Sequence, residues 1–170
     1  MIGLGRVFDI VPAFAPLDLQ TARDGDYVSF KNAKAMSVVV FKGVGTDGDD
    51  PSISFQQATD VAGTSAKDLA VITQYWEKEA VTDLTGTGTW TRVTQAASAT
   101  VAPGDPAAQS AAMYVFPIEA DQLDVDNGFD CIRVRIADTG TNAQLGCAFY
   151  ILHDLAVMAT PANLPNSIAD

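Results

Sequence analysis

The chain has 170 residues, of which 48% are hydrophobic and 18% are charged, and this composition predicts one folded domain rather than a disordered chain. Ten Lys and Arg residues stand against 21 Asp and Glu residues, and the net charge of −11 disfavours binding to the phosphates of nucleic acid. Three of the 21 acids are Glu and 18 are Asp. Because Asp favours turns and caps, we expect many turns and few helices.

The first residues do not resemble a signal peptide, because Asp9 and Pro12 interrupt their apolar run. The most apolar stretch, residues 35–41, is far shorter than the roughly 20 residues that span a bilayer. We therefore expect no membrane partner. Cys131 and Cys147 match no metal-binding spacing, and we expect both thiols to be reduced.

Runs with strand-like alternation recur along the chain and are separated by turn signals. Both faces of the run at 35–45 are apolar, so we expect a central strand there. Eight or nine strands without a sustained helical period predict an all-β fold, an antiparallel β-sandwich of the jelly-roll kind. Short helical turns are expected at 17–22, 61–69 and 120–124. The predicted strands cover residues 5–11, 27–32, 35–45, 52–58, 70–80, 89–95, 112–120, 131–137 and 144–153.

We divide the chain into an N-terminal arm and first strand at 1–25, the β-sandwich at 26–159, and an extended C-terminal arm at 160–170. Prolines in both terminal segments disfavour regular structure, and apolar side chains there would be exposed on an isolated monomer. Contact with a neighbouring chain would bury them. The predicted interface residues are Ile10, Val11, Phe14, Leu17, Leu164 and Ile168. Residues 96–112 are predicted to form a long functional or mobile loop.

The last two predicted strands suggest a hairpin in which paired residue numbers sum to 281. This register places apolar residues opposite one another on one face and puts Arg133 and Arg135 on the other face. It also separates Cys131 from Cys147, so no disulfide is expected between them. The core residues that follow from this register are Ile132, Val134, Ile136, Cys147 and Phe149.

The sequence offers few groups for catalysis or cofactor binding. His153 is the single histidine, which excludes the several-histidine metal sites of cupins and favours a hydrogen-bonded strand-end residue over a general base. The acidic clusters at 47–50 and 121–130 could hold calcium, but turn chemistry explains them without an ion. The glycine-bearing segments at 43–50 and 84–90 lack a P-loop lysine and predict hairpin turns. We expect no enzyme, no catalytic residue, no cofactor and no metal site.

Four aromatic residues, Tyr75, Trp76, Trp90 and Tyr114, could form a carbohydrate platform or could be core and interface anchors. Alternation places Trp90 on the same face as Arg92, which predicts that Trp90 is partly exposed. One exposed groove around Trp76 and Trp90 would favour sugar binding. Exposed apolar termini that reach neighbouring chains would instead favour a structural role in an assembly.

Residues 70–170 contain the stretches YWEKEAVTDLTGTGTWTRVTQAASATV, IEADQLDVDNGFDCIRVRIADTGTNAQLGCAFYILHDL and TPANLPNSIAD. These stretches resemble small structural proteins encoded in the head-gene modules of tailed bacteriophages and prophages. Such proteins include capsid decoration, or cement, proteins, which are often β-sandwiches that sit on the capsid as oligomers and clamp neighbouring capsomers. The family pattern has no catalytic residues to transfer.

The resemblance implies a structural virion protein of the capsid that is made in the host cytoplasm. Its implied partners are the major capsid protein and further copies of itself in a homo-oligomer, for example a trimer. Two alternatives remain open. One is a component of the tail or the head–tail junction, and the other is a glycan-binding β-sandwich module used for adsorption.

Overall fold

The computed structural model describes residues 4–79, 88–103, 110–158 and 160–168. The described residues form β-strands and three short 3-10 helices, Ala120–Gln122, Val125–Asn127 and Pro161–Asn163. The strands are β1 Phe8–Asp18, β2 Arg23–Asp24, β3 Val28–Ser29, β4 Ala33–Lys42, β5 Ile53–Ala58, β6 Lys67–Asp68, β7 Ile72–Lys78, β8 Thr91–Ser98, β9 Thr100–Val101, β10 Ala112–Glu119, β11 Cys131–Ile136 and β12 Leu145–Leu155.

The strands form two antiparallel sheets, which confirms the predicted all-β sandwich. Sheet A has the strand order β1-β12-β4-β10-β7-β8, and sheet B has the order β2-β11-β5-β6, with β3 added to β11 and β9 to β5. Strand β4 lies between β12 and β10, as its two apolar faces predict. The inner faces of the sheets meet in one large hydrophobic core.

Aromatic rings join the two sheets at the centre of the core. The ring centroid of Phe55 on β5 lies 5.0 Å from that of Phe116 on β10, in an edge-on arrangement. Tyr75 on β7 lies 5.4 Å from Phe116. Full burial of a phenylalanine side chain stabilises a fold by about 1.5–3 kcal/mol, so these contacts hold the sheets together.

A second link between the sheets is polar. The hydroxyl of Tyr150 on β12 accepts a hydrogen bond from the backbone N–H of Val134 on β11 at 3.0 Å and donates one to the carbonyl of Asp26 at 2.9 Å. A Cβ atom at Gly25 would lie 2.8 Å from this hydroxyl. Glycine is therefore required at position 25 for the hydroxyl to reach both backbone partners.

The predicted hairpin of the last two strands is wrong. Strand β11 pairs with β5 in sheet B, whereas β12 pairs with β4 and β1 in sheet A. Backbone hydrogen bonds from Leu19 to the Gln144 carbonyl and from Thr139 to the Leu19 carbonyl tie the connection to the end of β1. The connection therefore crosses from one sheet to the other.

The failed register has consequences for its predicted core residues. Ile132, Val134 and Ile136 are buried as expected. Cys147 and Phe149 are only partly buried, because Ala148, Tyr150 and Leu152 face the core instead. Cys131 and Cys147 form no disulfide, and they lie on strands of different sheets rather than on opposite faces of one sheet.

The N-terminal segment forms regular structure despite its prolines. Strand β1 pairs with β12 along most of its length, with register shifts on either side of Phe14. Pro12 and Pro16 are tolerated because β1 lies at one end of sheet A, where one side of the strand needs no ladder hydrogen bond. The expectation that prolines prevent regular structure here is wrong.

Three local predictions have different outcomes. The helical turn at 120–124 is confirmed as the 3-10 helix Ala120–Gln122, whereas 17–22 forms the end of β1 and a turn, and 61–69 contains turns and β6. Much of the predicted loop at 96–112 is strand, because β8 continues to Ser98 and β9 pairs with β5. Residues 104–109 of that loop lie outside the described residues.

Candidate interaction surface

The outer face of sheet A is apolar across four neighbouring strands, β1, β12, β4 and β10. Met36, Val38 and Val40 of β4 lie in the core, so the alternating side chains of this strand point outward. The pairing registers place outward-pointing residues of neighbouring strands side by side, so these residues form rows across the sheet. We define the apolar face by Ile10, Pro12, Val39, Phe41, Met113, Val115, Pro117, Cys147, Phe149 and Ile151.

Valine 39 shows how closely the apolar face is packed. It lies outside the core cluster, yet its exposed fraction is only 4%. Its neighbours in the row are Phe149 and Val115, and their side chains flank it. At the margins the face is open, since Ile10 is 47% and Leu145 is 64% exposed.

The end of this face at β7 and β8 carries two tryptophans. Trp76 pairs with Val115 of β10 on one side and with Arg92 of β8 on the other. Trp76 and Trp90 are 41% and 42% exposed, which confirms the predicted exposure of Trp90. Together with Val115 they line one groove of about 330 Å³. The other two aromatics of the predicted platform, Tyr75 and Tyr114, are buried in the core.

The predicted interface residues lie in different environments. Ile10 belongs to the apolar face, and Ile168 is 45% exposed. Val11, Phe14 and Leu17 pack against the core of their own chain, so the expectation that a monomer leaves them exposed is wrong. Leu164 is partly buried.

The C-terminal segment returns to its own domain. After the 3-10 helix Pro161–Asn163, the carbonyl of Ser167 accepts a hydrogen bond from the Ser29 N–H at 2.8 Å. The Ser167 hydroxyl donates to a carboxylate oxygen of Asp9 at 3.2 Å. These bonds place the described part of the tail beside β3 and β1.

The outer face of sheet B is polar and internally paired. Arg133 donates two hydrogen bonds to the Gln56 side-chain oxygen, at 3.1 and 2.8 Å. Arg135 forms an ion pair with Asp24 at 2.6 Å, and Arg133 approaches the second oxygen of Asp24 at 3.3 Å. Arg133 also lies over the ring of Tyr27, 4.8 Å from its centroid. This face therefore resembles an ordinary solvated surface.

A group of titratable side chains is buried at one end of the core. Lys42 is fully buried and donates a hydrogen bond to the carbonyl of Ser110 at 2.6 Å. Burial lowers the pKa of Lys42 to about 8, an effect that Glu79 and Asp50 partly offset. Burial raises the pKa of the Tyr114 phenol and also that of Glu77. Because the side chains of Lys42, Tyr114 and Glu77 point to the inner side of sheet A, we assign them a role in the structure and not in a surface site.

The predicted acidic clusters are held by protein contacts. In the first cluster, Asp49 accepts hydrogen bonds from the backbone and side chain of Asn142. In the second, Asp124 pairs with Lys67 and accepts a hydrogen bond from Asn127, and these contacts lower its pKa. Within the described part of the chain, no group of three or more His, Cys, Asp or Glu side chains could hold a metal ion.

The remaining candidate motifs also have local partners. His153 lies 3.4 Å from the Ser37 hydroxyl and 3.5 Å from a carboxylate oxygen of Asp154, at a margin of sheet A. In the glycine-bearing segment at 43–50, Gly48 adopts a left-handed conformation with φ +85°, as a turn requires. Residues 84–87 of the second glycine-bearing segment lie outside the described residues. No described helix has the length and apolar character needed to cross a bilayer.

Comparison with known proteins gives no family for the chain. No protein-family model and no curated protein matches it. Among solved structures, the crystal structure of the SPBc2 prophage-derived protein YomS has a TM-score of 0.39 and 6% identity, covering 85% of this chain and 92% of that chain. The structure of infectious bursal disease virus, Gt strain, has a TM-score of 0.26 and 10% identity, covering 92% of this chain and 44% of that chain. TM-scores this low carry no conclusion about family or function.

Proposed function

We propose that the protein is a structural virion protein and, within the virion, a capsid decoration protein that binds the major capsid protein and bridges neighbouring capsomers. The observation that carries this proposal is the apolar face. Contiguous apolar surface on a folded domain marks an interaction site, and protein partners remove such a surface from water. The resemblance of residues 70–170 to head-module proteins supports the choice of a capsid partner.

The acidic composition fits this role. A net charge of −11 keeps unassembled copies soluble, while apolar contacts supply the free energy of docking. A protein that binds only the assembled shell adds its binding free energy to the assembled state alone. The proposal therefore needs no catalytic group, and we assign none to the chain. Self-association into an oligomer is part of the same proposal.

In this proposal, the predicted interface of the N-terminal segment is part of the apolar face. Ile10 and Pro12 lie on β1 and extend the rows formed by Ile151 and Phe149 of β12. The N-terminal segment would thus contribute a strand to a broad interface instead of a free arm. Ile168, in the tail, remains a proposed contact with a neighbouring chain.

The direct test is a cryo-electron microscopy map of the particle whose genome encodes the chain. We expect density for this domain on the capsid, with the apolar face covered by protein. Density only in the tail or at the head–tail junction would overturn the decoration role and favour that alternative. Absence of the domain from purified particles would overturn the virion assignment itself.

A binding assay with matched variants tests the face. Ile10→Glu and Leu145→Glu place charges at exposed positions at or beside the apolar face. Val125→Glu places the same charge at a 53% exposed valine that begins the 3-10 helix Val125–Asn127. Occupancy on empty shells should fall at least tenfold for the first two variants and stay near the parent value for the third. Equal occupancy for all three would contradict the proposed surface. Matching unfolding midpoints are the folding control.

A further inference from the structure

Trp76 and Trp90 stand out because two large apolar side chains are exposed at the same end of sheet A and line one groove. Trp76 lies on β7 and Trp90 directly precedes the paired strand β8, on the same outer face of sheet A, and more than two fifths of each residue is exposed. Val115, on the β10 side of Trp76, completes the lining of the groove. The groove volume of about 330 Å³ lies at the lower end of the range for small-ligand sites. The groove could accept one or two sugar-sized rings.

The charges beside the groove narrow the choice of ligand. The ammonium group of Lys78 lies 5.5 Å from the ring centroid of Trp90, and Arg92 pairs directly with Trp76 across the strands. Elsewhere, Arg133 and Arg135 share Asp24, and Lys67 is held by Asp124. Neither Lys78 nor Arg92 has a carboxylate partner within the described ranges. Two available cations on a chain of net charge −11 are complementary to an anion.

Among the described residues, the neighbouring acids of β7 do not cancel this complementarity on the outer face. Glu77 alternates with Trp76 and Lys78 along β7, so its side chain points to the other side of the sheet. Burial and the nearby Glu79 raise the pKa of Glu77, in agreement with an inward position. The outer side of this strand pair therefore combines indole rings with positive charge.

We propose that the Trp76–Trp90 groove binds an acidic saccharide, a pyranose carrying a carboxylate. Indole faces pack against the C–H face of a pyranose ring, and each indole N–H can donate a hydrogen bond to a hydroxyl. Lys78 and Arg92 then receive the carboxylate, Arg92 with two parallel N–H groups. Val115 belongs both to this groove and to the apolar face, so ligand binding on an assembled particle requires that the shell leave the β7 and β8 end of sheet A uncovered.

Intrinsic fluorescence gives a direct test, because Trp76 and Trp90 are the two tryptophans of the chain. We expect saturable changes in emission when the full chain is titrated with a tetramer of galacturonic acid. Maltotetraose, a neutral tetramer, should bind at least tenfold more weakly. A short poly-aspartate peptide, which carries charge without sugar rings, should give no saturable change.

Variants separate stacking from charge. By calorimetry, Trp76→Ala and Trp90→Ala should each weaken binding of the uronide tetramer at least fivefold, a loss typical of an aromatic contact. Lys78→Gln and Arg92→Gln should weaken uronide binding severalfold and leave the weak maltotetraose binding unchanged. Lys34→Gln is the matched control, because it removes an exposed cation near the start of β4, away from the groove. This variant should bind the uronide tetramer as tightly as the parent chain.

Several results would overturn the proposal. They are no uronide binding to the parent chain, binding that survives both tryptophan substitutions, equal affinity for the neutral tetramer, or equal binding of poly-aspartate. Protection of both tryptophans from an aqueous quencher in a purified oligomer, without added sugar, would assign the groove to protein contact instead. Because none of these measurements uses a capsid, their failure is distinct from failure of the decoration role.

Discussion

The outer faces of the two sheets differ in how their side chains are satisfied. On sheet B, Arg133 and Arg135 alternate with buried residues and find partners in Gln56 and Asp24 on neighbouring strands. On sheet A, most outward positions of β1, β12, β4 and β10 carry aliphatic, aromatic or proline side chains, and polar Ser37, Glu119 and His153 lie toward one end. An antiparallel sheet with one face in water normally has a polar outer face, and only sheet B follows that rule.

This difference shows which of the two outer faces is stable in contact with water. The polar groups on sheet B are paired within the chain, so water contact costs little there. The apolar groups that stay exposed on sheet A, such as Ile10 and Leu145, gain free energy when a partner covers them, at about 25 cal/mol per Å² of buried apolar area. The two faces thus divide the molecule into a solvated side and an assembly side, and substitutions can test that division.

The largest expected effect comes from placing a carboxylate on each face. Val39→Asp would bury a charge without a partner on the outer face of sheet A and should cost roughly 3–5 kcal/mol of stability. Ser54→Asp is the matched change on sheet B, beside Arg135, and should alter stability by less than about 0.5 kcal/mol. Urea unfolding midpoints of the two variants provide the measurement. Similar losses in both would show that the two outer faces do not differ.

The core between the two sheets contains buried Lys42, and this residue makes the stability of the chain depend on pH. Because burial holds the pKa of Lys42 at about 8 in the folded chain, below its ordinary value, the unfolded chain binds more protons between pH 8 and about 10.5. Stability should therefore rise with pH, by roughly 2 kcal/mol between pH 8 and pH 10. Above about pH 10 the buried phenols of Tyr114 and Tyr150, whose pKa values are raised, should reverse the trend.

Lys42→Met tests this assignment. The variant keeps most of the side-chain volume and removes the titrating group, so the rise in stability between pH 8 and pH 10 should disappear. Chemical unfolding at a series of pH values measures it. A rise that persists in Lys42→Met would assign the proton uptake to another group.

The next largest loss of stability is expected from removing the Tyr150 hydroxyl, which links the two sheets. Tyr150→Phe removes the hydroxyl that joins Val134 of sheet B to β12 of sheet A and leaves a buried N–H without its acceptor. We expect a loss of about 1.5 kcal/mol and no change in shell or sugar binding, because Tyr150 faces the interior. An altered occupancy on shells at unchanged stability would show that the inner and outer faces of sheet A are coupled.

Strand positions could be predicted from the sequence because alternation is a local signal. Each of the nine predicted strands overlaps an observed one, whereas the two-residue strands β2, β6 and β9 are set by their neighbours and leave no periodic pattern. The partner of a strand is not local. Apolar residues occupy both faces of β12, for example Phe149 and Tyr150, so alternation could not say which side faces the core.

The same limit applies to the candidate sites. The exposure of Trp90 followed from its alternation with Arg92, but its position beside Trp76 needed the pairing of β7 with β8. The apolar face joins residues from β1, β4, β10 and β12, and their order in the sheet is not the order of the chain. Its local signal was the run Val38–Val39–Val40, which predicted a central strand and equally indicated a covered outer face.

The smallest expected effect concerns the charge network on sheet B. Asp24→Asn keeps the side-chain shape but removes the negative charge that Arg133 and Arg135 share. The Asp24 side chain is 44% exposed, so water and salt screen the interaction and the loss should be less than about 1 kcal/mol. Arg133 retains Gln56 and the Tyr27 ring as partners, which further limits the loss of stability.

Urea unfolding at low and high salt measures this loss, and the difference in stability between parent and variant should shrink as salt is added. A salt-independent loss above about 2 kcal/mol would mean that this face is part of the structural framework, and the contrast with sheet A would then rest on the apolar side alone.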